Sequence, residues 1–149
     1  MVRTRMLLLG LILCAAQVCF ARDLAIVANK SNATSTVTAA ELEKFLKLGV
    51  TNWPDGKKVK IFLTDPGSVE SKTILPRVYK ITPAEIKALA DAHKADIQIV
   101  GSDDIVLTMV DNNPGAIGVV NVYSINSRVK VLKIDGKLPM EQGYLLHGN

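Results

Sequence analysis

The sequence predicts an α/β domain: a mostly parallel sheet of about five strands with helices on both faces. Three observations carry this. Short apolar runs recur at 24–28, 59–63, 97–100, 116–120 and 129–134. Between them lie segments with well-marked helix starts. Turn residues such as Asn-Pro-Gly and Asp-Pro-Gly punctuate the alternation.

Each element has a local reason. The run LAIVA at 24–28 is apolar throughout and is followed by Asn29 and Ser31, so it reads as a buried strand. Residues 30–36 are rich in Ser, Thr and Asn and form a loop. Thr38 and Glu41 then make a capping box, with Val37 and Leu42 placed as its hydrophobic staple. Leu42, Phe45, Leu46 and Leu48 give that helix its apolar face, and Gly49 is expected as its C-terminal cap. Residues 52–56 are a turn in which Trp53 is a packing residue, and 59–63 is the second strand.

Asp65-Pro66-Gly67-Ser68 follows that strand and leads into a helix from about Val69, which Pro76 should kink or end. Thr82, Pro83 and Glu85 mark another capping box, stapled by Ile81 and Ile86, for a helix reaching about His93. Residues 97–100 are the third strand. Ser102 caps a helix over 103–110, with Asp103 and Asp104 at its positive end. Ile105, Leu107, Met109 and Val110 are expected to be its core stripe. The turn Asn112-Asn113-Pro114-Gly115 introduces the fourth strand. The fifth, at 129–134, alternates apolar residues with lysines and is expected at a sheet edge.

The first residues predict export. Arg3 and Arg5 form a basic start, 6–20 is apolar except for Gln17, and Cys19-Phe20-Ala21 presents small residues at −3 and −1 of a cleavage site. Residues 1–21 are therefore expected to be a signal peptide, too short an apolar run for a membrane span of about 20 residues. The domain is expected over 22–136, with 137–149 as a C-terminal tail lacking any clear period. Both cysteines, Cys14 and Cys19, fall in the expected signal. The mature chain would have no disulfide and no thiol chemistry, which suits a bacterial periplasm. Without Arg3 and Arg5 the 18 basic residues become 16 against 14 acidic ones, a net +2. That balance points to neither nucleic acid nor an acidic membrane surface as a partner, and no stable membrane insertion is expected after signal removal.

Three segments carry a family resemblance. They are Ile26-Val27-Ala28-Asn29-Lys30-Ser31-Asn32 with the capped helix and Thr51-Asn52-Trp53; the strand at 59–63 with Asp65-Pro66-Gly67-Ser68; and Asn113-Pro114-Gly115-Ala116-Ile117-Gly118-Val119-Val120. Together they resemble the phosphate-type substrate-binding proteins of bacterial ABC transporters. The likeness runs from about Leu24 to Ile134 and corresponds to one lobe of a type 2 periplasmic binding protein. It implies a small oxyanion, phosphate or a similar ion, as nominal ligand, and a membrane transporter or sensor as partner.

The residues themselves supply a candidate site. A strand end, a glycine and a helix start would aim backbone N–H groups at an anion. Thr64, Gly67, Ser68 and Val69 stand there, Ser68 adds a hydroxyl, and Ser31 after the first strand is expected to line the same edge. Two departures from the family pattern imply weak or lost binding. The family usually has arginine at the position of Thr64, which would pair bidentately with the anion. It has a glycine and a hydroxyl residue where this chain has Val69 and Glu70, and Glu70 would repel a dianion.

Other chemistry finds little footing. His93 and His147 are far apart in sequence and have no mature cysteine partners, so no zinc site, other metal site or cofactor is expected. Ser68 lacks the G-x-S-x-G setting of a nucleophile, and adjacent Asp103 and Asp104 read as helix-end charges. No enzyme is expected. The sequence leaves two functions: an exported solute-binding-like lobe, or a periplasmic interaction or sensory module on the same fold that does not bind a ligand.

Overall fold

A computed structural model describes residues 22–148. The expected signal peptide and its cleavage site lie outside the described residues. The elements are β1 (Leu24–Asn29), β2 (Thr36–Val37), α1 (Ala39–Leu46), β3 (Lys60–Leu63), α2 (Ser71–Ile74), α3 (Pro76–Tyr79), α4 (Pro83–Ala92), β4 (Ile97–Ile99), α5 (Asp103–Asn112), β5 (Ala116–Asn121), β6 (Val129–Val131) and β7 (Lys133–Ile134).

The main sheet has five strands in the order β4-β3-β5-β1-β6. β3 is parallel to both β4 and β5, whereas β1 is antiparallel to both β5 and β6. Four strands therefore run one way and β1 alone runs against them. β1 is buried at all six positions, as its unbroken apolar run predicts. Its register sets the cores. Leu24, Ile26 and Ala28 face the larger cluster with Leu42, Trp53, Ile86 and Leu146; Ala25 and Val27 face a smaller one with Val106, Leu107 and Val110 of α5. Helices thus cover both faces. At about 1.5–3 kcal/mol for each large side chain buried, the three α5 residues alone anchor that helix.

Most local signals are realised. Thr38 and Glu41 close a full capping box around the start of α1, at 3.1 and 2.8 Å. Ser102 caps α5 by accepting from Ile105 N–H at 3.3 Å. At α4, Thr82 accepts from Glu85 N–H at 3.2 Å, but no bond from the Glu85 carboxylate back to Thr82 forms among the described residues. Pro76 separates α2 from α3, two single turns in place of one helix. Trp53 is buried, stacks on Phe45 at 4.5 Å between ring centroids and donates through Nε1 to the Gly115 carbonyl at 2.9 Å.

Four expectations need correction. Leu48, not Gly49, takes the left-handed position after α1 (φ 60), because its side chain packs against the core while Gly49 N–H donates to Lys44 O at 2.8 Å. That packing outweighs the roughly 1–2 kcal/mol a left-handed leucine costs. Ile105 is 44% exposed and Val106 takes its place in the core, since the buried face of α5 runs through Val106, Leu107 and Val110 and Ile105 falls beside it. The run 129–134 is split: β6 forms the sheet edge beside β1, and β7 leaves to pair in parallel with β2. The segment after Lys137 is packed: Tyr144 and Leu146 are buried, and Leu24 N–H donates to Leu146 O at 3.0 Å.

Candidate functional site

The carboxyl ends of β3 and β5 form a rim with the start of β1, because β1 runs opposite to both. The turn after β3 carries four of the sequence-predicted residues. Thr64 and Ser68 line a small crevice there, together with Glu70, Ser71, Asp103 and Asn121. Its free volume is about 30 Å³, room for one or two waters.

The turn is held by its own side chains. Asp65 Oδ1 accepts from Gly67 N–H at 2.8 Å, and Asp65 O accepts from Ser68 N–H at 3.1 Å. Ser68 Oγ accepts from Ser71 N–H at 3.3 Å, so its hydroxyl oxygen already serves as a cap. Gly67 is exposed and outside the left-handed region; an added Cβ would meet only Asp65 Oδ1, at 3.3 Å. The backbone there does not demand glycine. Val69 is 79% exposed. The N–H groups of Val69 and Glu70 have no acceptor among the described residues, and these are the donors an oxyanion would meet. The helix behind them, α2, has only four residues, so its dipole adds little.

Ser31 is not part of this rim. It follows the carboxyl end of β1, which lies at the opposite end of the sheet. Five strand steps of about 3.3 Å separate those ends. Ser31 N–H and Oγ–H both donate to Asn29 Oδ1, at 2.9 and 2.7 Å, while Asn29 Nδ2 donates to the carbonyls of Val110 and Asp111. Its role is to steady the residue that caps the C-terminus of α5. The expectation that Ser31 shares the edge fails because β1 is the one reversed strand.

The charge of the crevice is negative. Glu70 Oε2 accepts from Asn121 Nδ2 at 2.8 Å, and Asp103 Oδ2 accepts from Asn121 N–H at 2.9 Å and from Ser124 Oγ at 2.7 Å. Both carboxylates are thereby fixed around one buried asparagine. Among the described residues no lysine or arginine lines the crevice. Asn121 and Ser71 are site residues that the sequence reading missed. A polar residue closing the apolar run AIGVV was the available signal for Asn121; Ser71 gave none, as it sits where an ordinary helix residue would. His93 ends α4 at the far end of the sheet from Ser68, so the two form no pair. Among the described residues no group of three His, Cys, Asp or Glu side chains is placed to hold a metal ion, and no helix is long and apolar enough to cross a membrane.

No family model matches the chain. Its structural neighbours include an ABC-type phosphate transport receptor from Vibrio cholerae, with a TM-score of 0.69 at 20% identity, covering 85% of this chain and 54% of the receptor. PstS from Borrelia burgdorferi gives 0.69 at 20% identity, covering 87% and 56%. The fold is that of one lobe of a phosphate-type receptor. Phosphate-binding protein PstS 2 from two Streptococcus agalactiae strains is 50% identical over 46 residues, 30% of this chain and 16% of those relatives. The chain thus spans about half the length of the receptors it resembles in structure, and a sixth of those curated relatives.

Proposed function

We propose that the protein is an exported, non-enzymatic solute-binding-like lobe whose rim meets phosphate or a similar oxyanion weakly. The observation that carries this reading is the pair of unengaged N–H groups at Val69 and Glu70, beside Thr64 and Ser68 at the carboxyl ends of β3 and β5. Strand ends of this kind are where open α/β sheets take their ligands. Weakness follows from charge: Glu70 and Asp103 stand where a cation would be needed, and an open rim leaves the anion its water. Affinity no better than about millimolar, or about −4 kcal/mol, is the expected value. A periplasmic setting and a transporter or sensor in the membrane are the matching context. Calorimetric titration of the exported protein with phosphate and sulfate tests the reading; micromolar binding or none at all would overturn it.

The fixed acidic pair favours a second reading, an interaction module that keeps the lobe and has no solute. Under it, phosphate leaves the rim untouched and a macromolecular partner occupies it.

A further inference from the structure

The large apolar side chains that remain exposed in this protein are not scattered. Val69 (79% exposed), Ile105 (44%), Tyr123 (69%), Leu138 (37%) and Met140 (68%) make up that set among the described residues. Val69 adjoins Ser68 and Glu70 of the crevice, Ile105 lies two residues beyond Asp103, and Tyr123 two beyond Asn121. Met140, two residues past Leu138, is brought to the same end by its N–H, which donates to Asp23 Oδ2 at 2.7 Å, next to crevice residue Leu24. Exposed apolar side chains therefore lie beside a small crevice that carries Glu70 and Asp103. Apolar side chains left exposed beside an acidic crevice offer a partner both contact area and charge.

The crevice has its own unfilled hydrogen-bonding capacity. Ser71 is 5% exposed and lines the crevice, yet its hydroxyl has no partner among the described residues. Glu70 and Asp103 each keep one carboxylate oxygen with no partner among the described residues. Glu70, Asp103 and Ser71 thus line one crevice of about 30 Å³, each with an acceptor oxygen that has no partner among the described residues. An ammonium head, with three donors and a positive charge, complements that acidic lining. Arg22 lies over the Tyr123 face at 5.2 Å from its centroid.

We propose that the rim docks a protein partner through a lysine whose ammonium enters the crevice between Glu70, Asp103 and Ser71, with apolar neighbours of that lysine covering Val69, Ile105, Tyr123 and Met140. A charged anchor bordered by apolar contacts that exclude water is the arrangement in which a single residue dominates an interface. The inference rests on the interaction-module reading and names its partner's chemistry.

The test uses the whole exported protein and the tripeptide N-acetyl-leucyl-lysyl-leucinamide, followed by amide shifts in NMR. Saturable shifts centred on Ser71, Asn121 and Tyr123 are expected. The same peptide with norleucine or acetyl-lysine in place of lysine should bind at least about ten-fold more weakly. So should the original peptide to Glu70→Gln and to Asp103→Asn, which keep the fold's hydrogen bonds while removing charge. Methylammonium alone should bind more weakly than the peptide, because it cannot cover the exposed apolar residues beside the crevice. Equal binding of the norleucine peptide, equal binding of methylammonium, or shifts confined to other surfaces would each overturn the proposal. Phosphate titrated in parallel reports on the solute reading separately, since it would move Val69 and Glu70 amides whatever the peptides do.

Discussion

The carboxylate of Asp23, at the entrance to β1, accepts from Nδ1 of His147 at 2.8 Å and from the N–H of Gly148 at 2.9 Å. Its other oxygen takes Met140 N–H at 2.7 Å, so one side chain, 6% exposed, fastens the chain's last described turn at two places. Arg77 adds a clamp from α3, donating to the carbonyls of Leu145 and His147, and Tyr144 donates its hydroxyl to Leu24 O at 2.8 Å.

Replacing that carboxylate should therefore loosen the whole tail. Asp23→Ala leaves three donors without their acceptor and should destabilise by about 2–4 kcal/mol. Urea denaturation of wild type and variant measures it. Hydrogen exchange should quicken selectively at Leu24 and 144–148; an unchanged midpoint would show that the tail contributes nothing to stability.

Of the described glycines, Gly115 is the least able to change. A Cβ there would stand 1.9 Å from the Lys58 carbonyl oxygen, a backbone atom that cannot swing aside. Gly115→Ala should cost more than about 3 kcal/mol. Trp53→Phe should cost less, about 1–2 kcal/mol, because it loses the bond to Gly115 O but keeps much of the stacking on Phe45. Thermal melts of the two variants set the order.

The two buried tyrosines tie stability to alkaline pH. Burial pushes the Tyr79 and Tyr144 hydroxyls far above their ordinary value of 10.0, and the Asp23 charge adds to the rise at Tyr144. Above about pH 10 the unfolded chain sheds these protons while the folded one keeps them, so stability holds below that pH and falls as pH rises past it. Urea midpoints from pH 8 to 11.5 should show the decline. Tyr144→Phe should flatten part of it at a cost of about 1 kcal/mol for its bond to Leu24 O. Tyr79→Phe should be neutral or stabilising at pH 7, since its buried hydroxyl has no partner among the described residues.

At the rim, charge decides the anion. Thr64→Arg with Glu70→Thr supplies a fork of donors and removes a repelling carboxylate, and should tighten phosphate binding at least about ten-fold. Ser68→Ala should loosen the turn by about 1 kcal/mol through the lost cap to Ser71 N–H. Calorimetry of the double variant settles the direction; no gain would mean the crevice cannot open to admit the ion.

Local chemistry made much of the fold legible. Thr38 with Glu41, Ser102 before two aspartates, and the apolar run 24–28 each specify their element with little help from elsewhere. Direction and distance were not written locally. Nothing in 24–29 states that β1 runs against its neighbours, and that single fact moves Ser31 to the far end of the sheet. The crevice was half legible for the same reason: Thr64, Ser68 and Glu70 are neighbours in sequence, whereas Asn121 and Asp103 arrive by topology. Ile105 was misread because the run IVLTMV is apolar on more than one side, and period alone does not tell which face meets the sheet.

The reversed strand also sets an order of events. β1 is synthesised first, but its partners in the sheet are residues 117–121 and 129–131, and its first N–H waits for Leu146. Close to a hundred residues must be made before the earliest strand can be sealed on either side. Closing loops of that length slows folding and leaves apolar edges open meanwhile. The stretch 24–29, six buried residues without a charge, is thus the segment a growing chain must keep from its neighbours longest. A chaperone that shelters it would act on the first strand made and the last to find its place.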